Sequence, residues 1–379
     1  MCCTIALLTL TLALTMRLYK SVRKMVATLV DVARMAQVST MTVSRVINNK
    51  DLVGEATYQR VMEAVEALSY VPNSAARSLV SRQNKAIAVL IASVVNPYYG
   101  LVMEGIENVA EANGYSVLLI NANQQEKYPS CIDNVISRGV SGFISSHLNL
   151  HQAHIDKLLK HGIKCVLIDN EQDLDGIASI KSDHRFGASV AVEHLIGLGH
   201  RRIGLIHGNL GMNLKDDDHG KEEKYSFNLW RLRYEGFIAT VRKHGLHIPQ
   251  DYIIQSDASI EANVNSGMLA MDRLMDLPSP PTAVYAGNDL FAIGALNAVL
   301  HRGLRVPRDY SIIGHGGIDA TKYTFPVLTC VKQPRFEIGC HAATMVIDLI
   351  EGNTREGQPP VFEVIRPSLV PGGSTGSIA

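Results

Sequence analysis

Residues 39 to 48 read STMTVSRVIN, and the groups there that could do chemistry fall on one side of a helix. At 3.6 residues per turn Val43, Val46 and Ile47 share a face, which leaves Thr40, Met41, Ser44, Arg45 and Asn48 around the other. Laid in a major groove, Arg45 could bond a guanine edge through two nitrogens. Thr40 and Met41 could touch bases near the helix start, and Ser39 or Ser44 could hold phosphates. Each has a plainer use as well, since an exposed arginine is often just solvated and Ser39 is a natural helix cap.

A second set of polar groups follows apolar runs further on. Asn96, Pro97, Tyr98 and Tyr99 form one group, and Ser145 with Ser146, Asp169 with Asn170, His207, Asn288 with Asp289, and His315 form the others. A few aimed hydrogen-bonding groups beside aromatic surface suit a small polar ligand such as a sugar or nucleobase. Asn, Asp and Ser at such places also serve as turns and caps.

The elements that must carry these residues can be read from caps and periodicity. Thr28 with Asp31 resembles a capping box, and Val32, Ala33 and Ala36 recur at helical spacing behind it. Ser39 caps the next helix, Thr40 to about Asn48, with Val38 and Val43 placed as a hydrophobic staple. A third helix near Glu55 to Ser69 presents Val61, Val65 and Leu68 to cover the first two. From Ala86 onward, apolar strands such as AIAVLIA, YSVLLINA, GFISS, KCVLID, IGLIHG, AVYAG, SIIGHG and LTCVKQ alternate with amphipathic helices. One helix spans Leu101 to Ala112, and a long last one lies near Phe336 to Glu351. Repeated strand and helix units imply parallel sheets with ligands bound beyond the carboxyl ends of the strands.

The segment VDVARMAQVSTMTVSRVINN, followed by VMEAVEALSYVPNSAARSL, resembles the DNA-binding end of the lactose-repressor (LacI/GalR) family. NPYYGLVMEGIE, VEHLIGLGHRRIGLI and GNDLFAIGALNAVLHRGLRVPRDYSIIG extend the resemblance over nearly all of residues 25 to 370. It implies an all-α helix-turn-helix domain at residues 25–71 and a hinge helix with linker at 72–85. An α/β effector-binding and dimerisation domain follows at 86–379, two-lobed like periplasmic sugar-binding proteins. It further implies a DNA-binding set of Ser39, Thr40, Met41, Thr42, Ser44, Arg45 and Asn48, joined by Asn73, Ala76 and the minor-groove wedge Leu79 in the hinge. Eight hinge residues from Pro72 are too few to hold a helix alone, so their folding should need DNA and a second subunit. The effector set is Tyr98, Tyr99, Ser146, Asp169, Arg233, Asn288, Asp289 and His315.

The expected function is therefore transcriptional repression in the cytoplasm, at the nucleoid. The partners are pseudo-palindromic double-stranded operator DNA, a small-molecule effector and a second copy of the chain, with a tetramer also open. Neither cofactor nor membrane is expected. The alternative is a secreted solute-binding protein, which would leave the helix-turn-helix without a use. Catalysis is not expected, because there is no nucleophile elbow, phosphate loop or metal-ligand spacing, and GNLG after IGLI is not a dinucleotide fingerprint.

Two departures from the family pattern stand out. Gln37 occupies a turn position where members often have Gly. After SIIG, members often have an aromatic residue and two aspartates, whereas this chain has His315, Gly316 and Gly317. Loss of two carboxylates and gain of a titratable imidazole suggest an anionic effector, or one otherwise unlike a neutral hexose.

Bulk properties are permissive. The 379 residues are 46% hydrophobic with zero formal net charge, which disfavours disorder and leaves DNA affinity to a local surface. The six cysteines, at 2, 3, 131, 165, 330 and 340, form no CxxC pair, so neither a disulfide framework nor zinc is indicated. KDDDHGKEEK at 215–224 reads as a solvated loop beside the cleft rather than a metal site. Ile5 to Met16 is too short to span a bilayer and precedes its basic residues, so residues 1–24 read as an extension upstream of the folded start at Met25.

Overall fold

The computed structural model describes residues 27–48, 53–71, 84–122, 127–146, 150–170, 174, 176–208, 229–256, 263–353 and 361–378. They divide into two compact units, residues 1–84 and 85–379. The expected extension, residues 1–24, the hinge residues Asn73, Ala76 and Leu79, and the charged stretch 215–224 lie outside the described residues.

The first unit is helical, with α1 at Leu29–Met35, α2 at Thr40–Asn48 and α3 at Glu55–Ala67. Thr28 caps α1 in the expected box, its amide and hydroxyl both donating to Asp31 Oδ2 while its Oγ1 accepts from the Asp31 amide. Ser39 accepts from the Thr42 amide at 3.0 Å and opens α2. Val32, Val43 and Val61, one from each helix, are fully buried, and Val38 packs against their cluster as the staple requires.

The turn between α1 and α2 passes through Gln37 at φ 54°, the left-handed region that a side chain disfavours. A glycine would adopt this conformation without penalty, and this chain carries the strain of having none there.

In the second unit the lobes are two six-stranded sheets. The strands are β1 (Ala86–Ile91), β2 (Ser116–Asn121), β3 (Gly142–Ser146), β4 (Lys164–Ile168), β5 (Ala178–Ser182), β6 (Ile203–His207), β7 (Ile253–Gln255), β8 (Ala283–Ala286), β9 (Ser311–Gly316), β10 (Thr329–Lys332), β11 (Phe362–Ile365) and β12 (Ser368–Val370). Lobe 1 runs in the order β11-β5-β4-β3-β1-β2 and lobe 2 in the order β12-β10-β9-β8-β6-β7. All pairings are parallel but one, since β12 runs antiparallel to β10. Central strands are near-continuous apolar runs because helices cover both faces. Thus Ile87, Val89 and Ile91 of β1 face one core, and Ala88 and Leu90 face the other.

The helices of this unit are α4 (Tyr98–Ala112), α5 (Tyr128–Ser137), α6 (Gln152–Lys160), α7 (His184–Gly197), α8 (Leu229–Lys243), α9 (Val264–Met275), α10 (Asp289–His301) and α11 (Arg335–Glu351). Helix α4 starts at Tyr98, three residues earlier than its apolar pattern indicates, so both tyrosines stand on its first turn. The chain crosses between lobes three times. It leaves β5 for α7, whose Ala188 and Leu195 pack in the lobe 2 core. It then leaves β10 for α11, whose Ile338 and Val346 pack in the lobe 1 core, and passes from β11 to β12. Helices α4 and α11 meet through glycine. A Cβ on Gly105 would lie 2.2 Å from the Phe336 carbonyl, and one on Gly339 would lie 2.1 Å from that of Val102.

No helix among the described residues is long and apolar enough to cross a membrane. Replacing Gln37 by Gly should raise the melting temperature of the helical unit by the equivalent of a few tenths to about 1 kcal/mol, as relief of the left-handed strain exceeds the greater freedom of the unfolded glycine. Thermal melts of both forms by far-ultraviolet circular dichroism check this, and a lower midpoint for the glycine form contradicts it.

Candidate functional site

On α2, Thr40, Met41 and Arg45 are exposed while Val43 and Val46 are buried, so the helix turns its hydrogen-bonding face outward as its periodicity demands. Met41 keeps 64% of its surface and lies on the same face as Arg45. Ser39 and Thr42 are joined at 2.9 Å between hydroxyls, so the cap also orients Thr42 at the helix start. Ser44 is half-buried beside Arg45.

In the second unit the carboxyl ends of the strands border a cleft of about 690 Å³, counting its open mouth. Tyr98, Tyr99, Ser146, Asp169, Arg233, Asn288, Asp289 and His315 all line it. Leu229, Trp230, Leu290, Ile318 and Gln333 also line it and are missed by strand-end reasoning. Ser145, inside β3, and Asn170, just after β4, are buried without lining the cleft. His207 turns away, bonding the Gly208 carbonyl at 2.6 Å and packing near Tyr234.

The lobe 1 wall is aromatic and acidic. Tyr98 and Tyr99 meet edge to face at 5.3 Å. The Tyr98 hydroxyl donates to Asp169 Oδ2 at 2.8 Å, and the Ser182 amide donates to Asp169 Oδ1 at 2.9 Å. Asp169 itself adopts φ 53°, a strained conformation that sets its carboxylate at the end of β4. Burial works to raise its carboxyl, but His184, the Ser182 amide and the Tyr98 hydroxyl outweigh it and hold it below the usual range.

The lobe 2 wall is built around Arg233, only 5% exposed. Its guanidinium donates to the Gly287 carbonyl, to Gln333 Oε1 at 3.3 Å and to His184 Nδ1 at 3.3 Å, and lies 5.5 Å from the Trp230 ring centre. Trp230 in turn stacks on Phe291 at 5.5 Å. Since Arg233 fills His184 Nδ1, the imidazole proton lies on Nε2, which is 3.3 Å from Asp169 Oδ1 but poorly aligned with it. His184 and Gln333 sit on two of the crossovers, so this chain of contacts runs from one lobe to the other.

A second guanidinium, Arg335 at the start of α11, is 3% exposed and donates to the Pro97 carbonyl of lobe 1 at 3.3 Å and to the Gly317 carbonyl of lobe 2. The Asp289 carboxyl is pushed up to about 6 by burial, against the Ile318 and Gly317 amides and the two arginines. Two guanidinium groups and two carboxyl groups thus nearly cancel within the site.

The sequence-based expectation that His315 adds positive charge needs correction. The imidazole is 1% exposed, and burial, reinforced by Arg233 and His184, holds its pKa well below the ordinary histidine value. It is neutral at neutral pH. The Tyr285 hydroxyl, whose own pKa is raised by burial, shares a hydrogen bond of 2.7 Å with His315 Nδ1. The part of the argument for an anionic effector that rests on a charged His315 therefore falls.

Among the described residues no cluster of His, Cys, Asp and Glu could hold a metal ion. The four described cysteines, Cys131, Cys165, Cys330 and Cys340, are all free thiols.

A neutral buried histidine must be charged when the chain unfolds in mild acid, so it costs stability once pH falls below the ordinary histidine pKa of about 6.5. Asp289, with its raised folded value, has the opposite sign and costs stability as pH rises through about 6. Replacing His315 by Phe removes the first contribution and keeps the second. The melting temperature lost between about pH 7.5 and about pH 5.5 should therefore be smaller in His315→Phe than in the wild type. Equal losses contradict the buried neutral imidazole.

Comparison with known proteins places these features together. A sequence model described as bacterial regulatory proteins, lacI family, matches residues 28–73, and one described as a periplasmic binding protein-like domain matches residues 192–375. The chain is 34% identical over 332 residues to the HTH-type transcriptional repressor CytR of Escherichia coli (strain K12), covering 86% of this chain and 90% of that one. It is 33% identical over 347 residues to the HTH-type transcriptional repressor PurR of Pasteurella multocida (strain Pm70), covering 91% and 97%. The crystal structure of the lac repressor dimer bound to operator and the anti-inducer ONPF is similar with a TM-score of 0.77 and 26% identity, over 93% of this chain and 99% of that one.

Proposed function

The chain belongs to the lacI family of bacterial regulatory proteins, and from that premise we propose that it is a transcriptional repressor whose hold on operator DNA is set by a small molecule in the cleft. The observation that carries this reading is the union, in one chain, of a helix-turn-helix with an outward polar face and a two-lobed unit with a polar cleft. A solute-binding protein would account for residues 85–379 and leave 28–73 idle.

The division of labour follows the units. Residues 25–71 bind DNA, 72–85 form the hinge and linker, and 86–379 bind effector and pair with a second copy. A two-fold homodimer reads a pseudo-palindromic operator, one chain to each half-site. In each half-site α2 enters the major groove, with Arg45 reading a base edge, Thr40 and Met41 beside it, and Ser39, Thr42 and Ser44 at the backbone. Asn48 and the hinge residues Asn73, Ala76 and Leu79 complete the DNA-contacting set. The place of action is the cytoplasm, at the nucleoid, and no reaction is assigned.

Regulation is linkage. A ligand that binds one lobe arrangement more tightly shifts the population toward it, and the DNA affinity of that arrangement becomes the affinity of the complex. Tyr98, Tyr99, Ser146, Asp169, Arg233, Asn288, Asp289 and His315 are the proposed effector contacts.

Replacing Arg45 by Ala should weaken specific operator binding by about 1 to 3 kcal/mol per contact and relax preference at one base position in each half-site, with non-specific binding less affected. Genomic fragments retained by wild-type protein supply the operator, and gel shifts on it and on a scrambled duplex at one salt concentration supply the comparison. Equal losses on both duplexes, or none on either, remove Arg45 from base reading.

A further inference from the structure

The cleft's side-chain amides all face the same way in chemical terms. Asn96 Oδ1 accepts from the Tyr98 amide at 3.0 Å, Asn288 Oδ1 accepts from the Phe291 amide at 2.7 Å, and Gln333 Oε1 accepts from Arg233 at 3.3 Å. Backbone N–H and guanidinium groups can only donate, so the oxygen end of each amide is assigned by its partner and the NH₂ end is what remains. Two of the three are the helix-opening devices of α4 and α10, and the third is held by the lobe-to-lobe chain. Their orientation is thus built into the fold.

Part of the acceptor capacity of the two carboxylates is already committed. Both Asp169 oxygens are engaged, by Tyr98 and by the Ser182 amide, and Asp289 Oδ2 takes the Ile318 amide at 2.8 Å. Gly316, at φ 139°, would place a Cβ 2.8 Å from Asp289 Oδ2, so a side-chain carboxylate cannot be restored there without displacing Asp289. On the donor side, Gln333 Nε2 and Arg233 Nε are buried without a partner, and on the acceptor side Asp289 Oδ1 is. Buried donors left in this state cost free energy that a bound acceptor returns.

We propose that the cleft reads hydrogen-bond acceptors: the effector presents carbonyl oxygens, carboxylate oxygens or ring nitrogens to the amides of Asn96, Asn288 and Gln333, and offers a single N–H or O–H to Asp289. A plain polyol, which carries a donor with every acceptor, matches these inward NH₂ groups less well. This assignment rests on the effector-binding reading above and specifies its chemistry. The near balance of charge in the site makes hydrogen-bond polarity, rather than net charge, the discriminating property.

The test uses the full-length protein and isothermal titration calorimetry. Gluconate and uracil supply carboxylate and ring-carbonyl acceptors in separate arms, and glucose, ribose and sorbitol supply the polyol arm. Asn96→Asp, Asn288→Asp and Gln333→Glu each keep the oxygen that the fold uses and replace the donor NH₂ by an acceptor. Circular-dichroism melts identify which of them fold. At least one acceptor-bearing arm should bind more tightly than every polyol, and each folded variant should bind that probe about tenfold or more weakly. Binding of polyols alone, binding of neither acceptor arm, or unchanged affinity in the folded variants overturns the proposal. Gel shifts with ligand-free protein test the repressor reading separately, because they do not involve the cleft.

Discussion

Arg335 reaches the Pro97 carbonyl in one lobe and the Gly317 carbonyl in the other from a position with 3% exposure, and the ligand-binding half of the molecule depends on that demand being met. A guanidinium cannot shed its charge, and burying it without acceptors costs several kcal/mol, so the two lobes must supply oxygen atoms at fixed places. Arg233 repeats the constraint from the other side with the Gly287 carbonyl, Gln333 and His184. A lobe movement that breaks these contacts has to offer the guanidinium groups water or new acceptors. Such contacts favour a change between distinct lobe arrangements over continuous sliding, which is the property a ligand-controlled switch needs.

The same constraint explains why the site is so nearly neutral. Two buried guanidinium groups draw in Asp169 and Asp289, and what is left for a ligand is a pattern of hydrogen-bond directions. The glycines at 316 and 317 belong to this arrangement. Gly316 leaves room for the Asp289 carboxylate, which takes the Ile318 amide, and Gly317 leaves room for Lys332.

Much of this was legible in the sequence because it is local. Thr28 with Asp31, and Ser39 ahead of an apolar stripe, announce two capped helices by physics that acts within four residues. The strand ends were legible for a similar reason, since an apolar run followed by Asn or Asp places its polar group at the carboxyl edge of a sheet. What escaped is what depends on distant chain. The polar-interrupted β5 reads poorly as a strand until β4 and β11 flank it. His184 and Gln333 join the site only because the chain crosses lobes beside them, and Trp230 only because α8 packs on Phe291 of α10. The charge of His315 could not be read either, since the letter shows a titratable ring and only the folded surroundings show that it is buried against Tyr285 and two cationic or imidazole neighbours.

The central claim is that the cleft and the operator are coupled through one molecule, and coupling is reciprocal. The most direct measurement takes a compound that calorimetry shows to bind the cleft and determines its dissociation constant for the free protein and for the operator-bound protein. In parallel it takes the operator dissociation constant with and without saturating compound, at one salt concentration. The account predicts that both pairs change by the same factor, about 5-fold to 150-fold for ordinary coupling energies. A compound that fills the cleft with identical affinity in the presence and absence of operator would contradict it.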